Sequence, residues 1–232
     1  MKNSAKFFAL CAAMLATASY AAAEDEVWTK ITLEAKLHDR VALKLEEENK
    51  FSEDRNICES TLLMLNIKIA NWISLGLGDS IIQERKEKAV YTKTGLLQRD
   101  HYWQQEHRPT GDISISQDIK GWRIDMRNRF ELRDKDDGSD AYLRYRNRLR
   151  LRTPYKWTQY AISPFASWEM FIEDKDGLEG SDRFNQCRTQ IGLSAKITDN
   201  VSSSVYYTLE HDKSDNTWTP TNIFGIELNF NF

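Results

Sequence analysis

Hydrophobic and polar residues alternate with a period of two along most of this chain. The clearest run is Gly225-Ile226-Glu227-Leu228-Asn229-Phe230-Asn231-Phe232, where Ile226, Leu228, Phe230 and Phe232 share one face. Strict alternation is strand geometry, because successive side chains point to opposite faces. The same pattern recurs upstream. Val41, Leu43 and Leu45 alternate with Lys44, Glu46 and Glu48; Leu63, Leu65, Ile67 and Ile69 form the next face, then Ile73, Leu75 and Leu77, then Ile113 and Ile115. Trp122 to Leu132, Leu143 to Leu151, Tyr160 to Met170, Ile191 to Ile197 and Val201 to Leu209 complete the series. With the final run this predicts ten strands, each long enough to cross a bilayer at about 9–11 residues or more.

The connections alternate short and long. Short ones fall near Asn71, Gln117–Gly121, Pro154–Lys156 and Thr198–Asn200; long ones cover 52–59, 86–103, 134–140, 174–183 and 212–220. Short periplasmic turns and longer outer loops are the asymmetry of a transmembrane barrel. Trp72, Trp122 and Trp157 fall at the short turns, and Trp103, Trp168 and Trp218 near the long loops. Two aromatic belts are expected at the two interfaces. The predicted fold is therefore all-β: an antiparallel transmembrane β-barrel of about ten strands, with twelve as the alternative. Trp28–Leu37 is an eleventh candidate that breaks the even count. It is expected at the periplasmic rim or in the lumen, unless a further strand lies within 86–103. Pro164 is expected to mark a bulge, because it removes a ladder hydrogen bond.

The N-terminus has a charged start, an apolar run from Phe7 to Ala18, and Ala21-Ala22-Ala23 before Glu24. That is a secretory signal peptide over 1–23, leaving 24–232 as the barrel. Removing Lys2 and Lys6 lowers 32 basic residues to 30 against 35 acidic, a net charge of −5. Nothing in that balance points to nucleic acid. A mean hydropathy of −0.62 argues against membrane helices. It does not argue against a barrel, in which only alternate residues meet lipid. Cys58 and Cys187 are expected as free thiols, with Cys187 facing lipid on a distant strand.

The chain resembles an uncharacterised family of small Gram-negative outer-membrane barrels, known as a domain of unknown function. The resemblance rests on Trp28, Glu106-His107-Arg108-Pro109, Arg127-Asn128-Arg129-Phe130-Glu131-Leu132-Arg133, Arg144-Tyr145-Arg146-Asn147-Arg148-Leu149 and the terminal Phe232. It implies a barrel in the bacterial outer membrane and no particular activity. Phe230 and Phe232, on the closing strand, are similar to the assembly signal of barrel C-termini.

The distinctive chemistry is arginine. On 122–133 the inward positions include Arg123, Arg127, Arg129 and Arg133; on the next strand they are Arg144, Arg146, Arg148, Arg150 and Arg152. Like charges facing each other across a strand pair destabilise it, so something must offset them. One expectation is an anion track for acidic solutes, because guanidinium stays charged and binds carboxylates bidentately. Arg127, Arg129, Arg144, Arg146, Arg148 and Arg150 would then face the solute. The other is a salt-bridged interior, with Glu46, Glu48, Glu106, Glu131 and Glu169 as lumen acidic partners. Barrels near eight strands are filled by side chains, and ten strands lie toward that end.

No enzymatic activity is expected. The alternative, a lipid hydrolase, rests on His211 at the outer end of its strand and lacks a matching serine. Asp134-Lys135-Asp136-Asp137-Gly138-Ser139-Asp140 begins like a calcium loop, but an EF-hand has glutamate at its twelfth position and this chain has Tyr145. No metal and no cofactor are expected. Expected partners are outer-membrane lipid and lipopolysaccharide, the barrel-assembly machinery and small anions.

Overall fold

The computed structural model describes residues 26–53, 55–91, 97–175, 180–214 and 217–232. The leader 1–23 lies outside them. The strands are β1 (Glu26–His38), β2 (Val41–Ser52), β3 (Arg55–Ala70), β4 (Ile73–Tyr91), β5 (Leu97–Ile119) and β6 (Trp122–Lys135). They continue as β7 (Tyr142–Arg152), β8 (Ser163–Asp174), β9 (Phe184–Lys196), β10 (Val201–Ser214) and β11 (Thr217–Asn231). Sequence neighbours pair antiparallel all round, and the sheet closes into a barrel where β1 meets β11.

That closure is parallel, in register from Glu26↔Ile223 to Glu34↔Asn231. All ten expected runs are in the wall, and the eleventh, Trp28–Leu37, joins them instead of lying at the rim or in the lumen. An even count is needed only where the last pair is antiparallel; parallel closure admits β1. Its alternation suits the place, with Trp28 and Thr32 buried and Ile31 and Leu33 exposed. Phe232 extends the seam: its N–H donates to the Glu34 carbonyl at 2.8 Å, and the Lys36 N–H donates to its carbonyl at 2.9 Å.

Three expected long connections, 52–59, 86–103 and 212–220, are largely strand. The ladder continues there although Glu59, Gln83 and Gln105, on the outer face, no longer supply an apolar alternation. The expected short turn at Pro154–Lys156 instead spans 153–162. Trp157 and Ile162 exchange N–H···O bonds of 2.8 Å within it. Thr158 and Ala161 take left-handed backbone there (φ 64° and 48°). That curl removes Tyr160 and Ile162 from the strand on which they were expected. Pro164 carries no bulge. It is the second residue of β8, opposite Leu193 in register, and the shift in that strand falls between Phe171 and Ile172. At the strand end the Pro164 carbonyl still accepts the Thr153 N–H at 3.0 Å, so little ladder is lost.

The two faces of the wall differ as the alternation predicts. Leu63, Leu77, Ile81, Phe130, Leu149 and Ile191 are among many large apolar side chains exposed on the outside. Six tryptophans are exposed as well, and only Trp28 is buried. No helix among the described residues is long and apolar enough to cross a membrane. The interior is packed: Phe171, Met64 and Ile223 are fully buried within it, together with Glu131 and Thr208. One glycine makes part of that packing possible. A Cβ at Gly225 would lie 2.0 Å from the ring of Tyr206, its register partner on β10.

Candidate functional site

The lumen is built on β6 and β7. Their register sets Arg127 against Arg148, Arg129 against Arg146 and Arg123 against Arg152, so cation faces cation along the inner face. Relief comes from the strands on either side. From β5, Asp112 accepts Arg129 Nε and Nη2 at 2.7 and 2.8 Å, and Glu106 accepts Arg133 Nε and Nη2 at 2.6 and 2.8 Å. From β8, Glu173 accepts Arg133 Nη1 at 2.7 Å, while Glu169 accepts Arg127 at 2.9 Å and Arg146 at 3.1 Å. Glu131, on β6 itself, takes Arg144 at 2.6 Å and Arg146 at 2.9 Å. Bidentate and shared pairs of this kind are the strong form of charge-assisted hydrogen bonding. Buried ions lose several kcal/mol each in desolvation, so only such full satisfaction makes the arrangement stable.

Aromatic faces complete this half of the lumen. The Phe171 ring lies under Arg146 at 4.8 Å, Arg188 at 4.7 Å and Arg144 at 5.5 Å. Trp28 reaches in from β1, with Lys50 at 3.8 Å and Arg188 at 4.7 Å over its ring. Arg188 also pairs with Glu210.

Toward the short turns the direct ion pairs stop, although Glu169 and Glu227 lie near enough to act on Arg148 and Arg150. Among the described residues Arg148, Arg150 and Arg152 form no ion pair. The Nε atoms of Arg127, Arg150 and Arg152 are buried without a hydrogen-bond partner. Arg150 stacks on Phe165 at 4.0 Å. The reason lies opposite, on β8: Arg150 faces Ser167 and Arg152 faces Phe165, where Arg144 faces Glu173. Glu169 stands opposite Arg148 but holds Arg127 and Arg146 instead.

Two cavities open within the lumen among the described residues. The outer one, about 700 Å³, is lined by the ion-pair network and opens toward the long hairpins. The inner one, about 870 Å³, opens among the short turns at Asp39, Asn71 and Asn200. Arg127 and Arg148 stand in the walls of both.

The lumen arginines named from sequence and the carboxylates Glu46, Glu48, Glu106, Glu131 and Glu169 are thus brought together on one surface. Glu46 meets Lys44 at 3.3 Å, and Glu48 meets Lys50 at 3.9 Å. Sequence reasoning placed Lys44 inward but missed Lys30, Lys50, Arg108 and Arg188 as lumen cations, and the buried Phe171, Met64 and Tyr206. The signal was available: each occupies the in-phase position between two outward residues. Phe230 and Phe232 lie at the parallel seam. Cys58 and Cys187 are both free.

His211 stands opposite Cys187 on one side and Pro220 on the other, and neither can serve as its hydroxyl nucleophile. An unanticipated pair, His107 Nε2 and Asp79 Oδ2, lies 2.5 Å apart on the outer face. In the acidic loop, Asp137 accepts the Ser139 N–H at 2.9 Å and Gln104 Nε2 at 2.8 Å. Hydrogen bonds from Ser139, then from Gln104, hold its carboxyl below the usual aspartate range. One of its oxygens is committed within the loop and the other to Gln104 on β5. Among the described residues no group of three His, Cys, Asp or Glu side chains is placed to hold a metal.

Comparison with known proteins agrees with this geometry. The family described as Protein of unknown function (DUF2490) matches residues 25–221, and the chain belongs to it. No curated protein matches the sequence. Among solved structures, LpxR from Salmonella typhimurium is similar at a TM-score of 0.50 and 12% identity, over 87% of each chain. At that identity the likeness shows the shared barrel fold alone.

Proposed function

We propose that this chain is a bacterial outer-membrane barrel whose lumen is closed by its own ion pairs, a porin-like structural scaffold without enzymatic activity. Segment 1–23 is its export signal. Its partners are membrane lipid and lipopolysaccharide around the exposed apolar wall, and the barrel-assembly machinery during insertion. An exterior this rich in exposed aliphatic side chains suits lipid and not water.

The carrying observation is the commitment of Arg127, Arg129, Arg133, Arg144 and Arg146 to carboxylates around the buried Phe171 ring. An open pore would leave those cations to solute. Single-channel recording of the refolded protein in a planar bilayer tests this. Closed barrels give no discrete steps; steady open-channel conductance at low voltage overturns the reading. The second reading, an anion-selective channel, has one specific support: Arg127 and Arg148 border both cavities. A displacement of the Arg127–Glu169 pair would join the cavities at that point, and the reversal potential under a KCl gradient would then be anion-selective.

Assembly depends on the closing seam. Deleting Phe232 removes its two hydrogen bonds to β1 and lowers the amount of heat-modifiable barrel in the membrane fraction. Undiminished levels would count against this role.

A further inference from the structure

On the outer face of β6 and β7 two amides interrupt the apolar run. Asn128 stands opposite Asn147, with Ile113 of β5 and Met170 of β8 as their other neighbours. Asn128 lies six residues from Trp122 and six from Asp134, the outward residues near the two ends of β6. At about 3.3 Å per residue and a tilt near 45°, it sits about 14 Å in depth from each. That is the middle of an apolar band about 25 Å tall.

The cluster is only partly satisfied. Asn128 Oδ1 accepts Tyr145 Oη at 2.6 Å and Asn147 Nδ2 at 2.8 Å. Both N–H groups of Asn128 Nδ2, the second N–H of Asn147 Nδ2 and the Asn147 Oδ1 have no partner among the described residues. Acyl chains neither donate nor accept, so polar groups at this depth are costly unless another protein surface meets them.

Gly111 is an independent sign. Among the described strand glycines, Gly76, Gly78, Gly192 and Gly225 face the lumen, and a Cβ on each would come within 3.0 Å of a neighbour. Packing requires those four. Gly111 faces outward, opposite Phe130 and diagonal to Asn128, and a Cβ there would meet nothing within 4 Å. It takes no left-handed backbone either. What glycine supplies here is a notch, and small residues let two membrane surfaces approach closely.

We infer that this face, centred on Asn128, Asn147 and Gly111, joins two copies of the chain in the membrane about a two-fold axis. The inference rests on the reading that the exposed wall meets lipid. The patch is its own complement: it is neutral, and it carries unmet amide donors beside an unmet amide acceptor. A two-fold axis makes each donor–acceptor contact twice and closes the assembly at two copies. Lipid esters and phosphates lie at the interfaces and do not reach this depth.

The test is sedimentation equilibrium of the refolded full chain in density-matched zwitterionic micelles, over a range of protein-to-detergent ratios. Wild type sediments as two copies. Asn128→Leu combined with Asn147→Leu weakens association at least tenfold, although it makes the face more apolar. A contact held by apolar surface alone would persist or tighten, and that result overturns the inference. Gly111→Leu fills the notch and weakens association likewise. Ala35→Leu, a similar gain in bulk on β1 across the barrel, leaves the two-copy species unchanged. Heat-modifiable migration shows that each variant is folded. Wild type that is monomeric at every ratio overturns the inference, whether lipid alone or a different protein covers the face. The lipid-facing reading fails separately: a chain that stays folded and dispersed in detergent-free buffer discards that reading and this inference with it, while a micelle-bound monomer discards only the pairing.

Discussion

Arg144 and Arg148 lie on one strand, four residues apart and on the same inner face, yet they live in different electrostatic environments. Arg144 bonds Glu131 at 2.6 Å, is buried, and stands opposite Glu173. Arg148 has no ion pair among the described residues, and the next arginines below it face Ser167 and Phe165. The cations are equivalent; their neighbours are not. The outer half of the lumen is self-neutralised and belongs to stability. In the inner half the arginines of β7 meet no carboxylate within ion-pair distance among the described residues, and Arg150 and Arg152 each keep a buried Nε without a hydrogen-bond partner.

Substitutions in the two halves should therefore differ in size and in sign. The largest loss is expected for Glu131→Gln, which takes from Arg144 its close carboxylate and from Arg146 one of its two. Removing one partner of a buried pair costs about 3–5 kcal/mol, and chemical denaturation of the refolded barrel reads it. A loss below about 1 kcal/mol, the scale of an exposed pair, would show that the outer network is solvated. Gly225→Ala comes next. Its new Cβ meets the Tyr206 ring, and overpacking of this kind costs about 1–3 kcal/mol. Combining it with Tyr206→Ala should cancel most of that strain, and persistence of the strain term would argue against the ring as its cause. The smallest effect belongs to Arg148→Gln, which removes a charge without breaking a pair and leaves stability equal or raised.

Much of this was legible in the sequence. Period-two alternation located ten strands, and the phase of Arg127 and Arg148 assigned them inward. The carboxylates Glu106, Glu131 and Glu169 were likewise placed on the inner face. Two things were not legible. Pairing between β6 and β8, such as Arg127 with Glu169, skips the strand between them, because long side chains lean across a curved wall. Parallel closure of β1 on β11 leaves no local pattern, since backbone hydrogen bonding and not composition decides it. The division of the lumen sits between these cases. The inward residues of β8 read Ser163, Phe165, Ser167, Glu169, Phe171, Glu173, so the boundary between bare and compensated arginines is written there for anyone holding the β7–β8 register.

The most direct test compares Arg144→Gln with Arg148→Gln in the same refolding system without added anion. Arg144→Gln is expected to lose about 3–5 kcal/mol of unfolding free energy, because it breaks a buried pair. Arg148→Gln is expected to lose none. Equal losses at the two positions would contradict the account, for they would mean that both halves of the ladder are compensated alike.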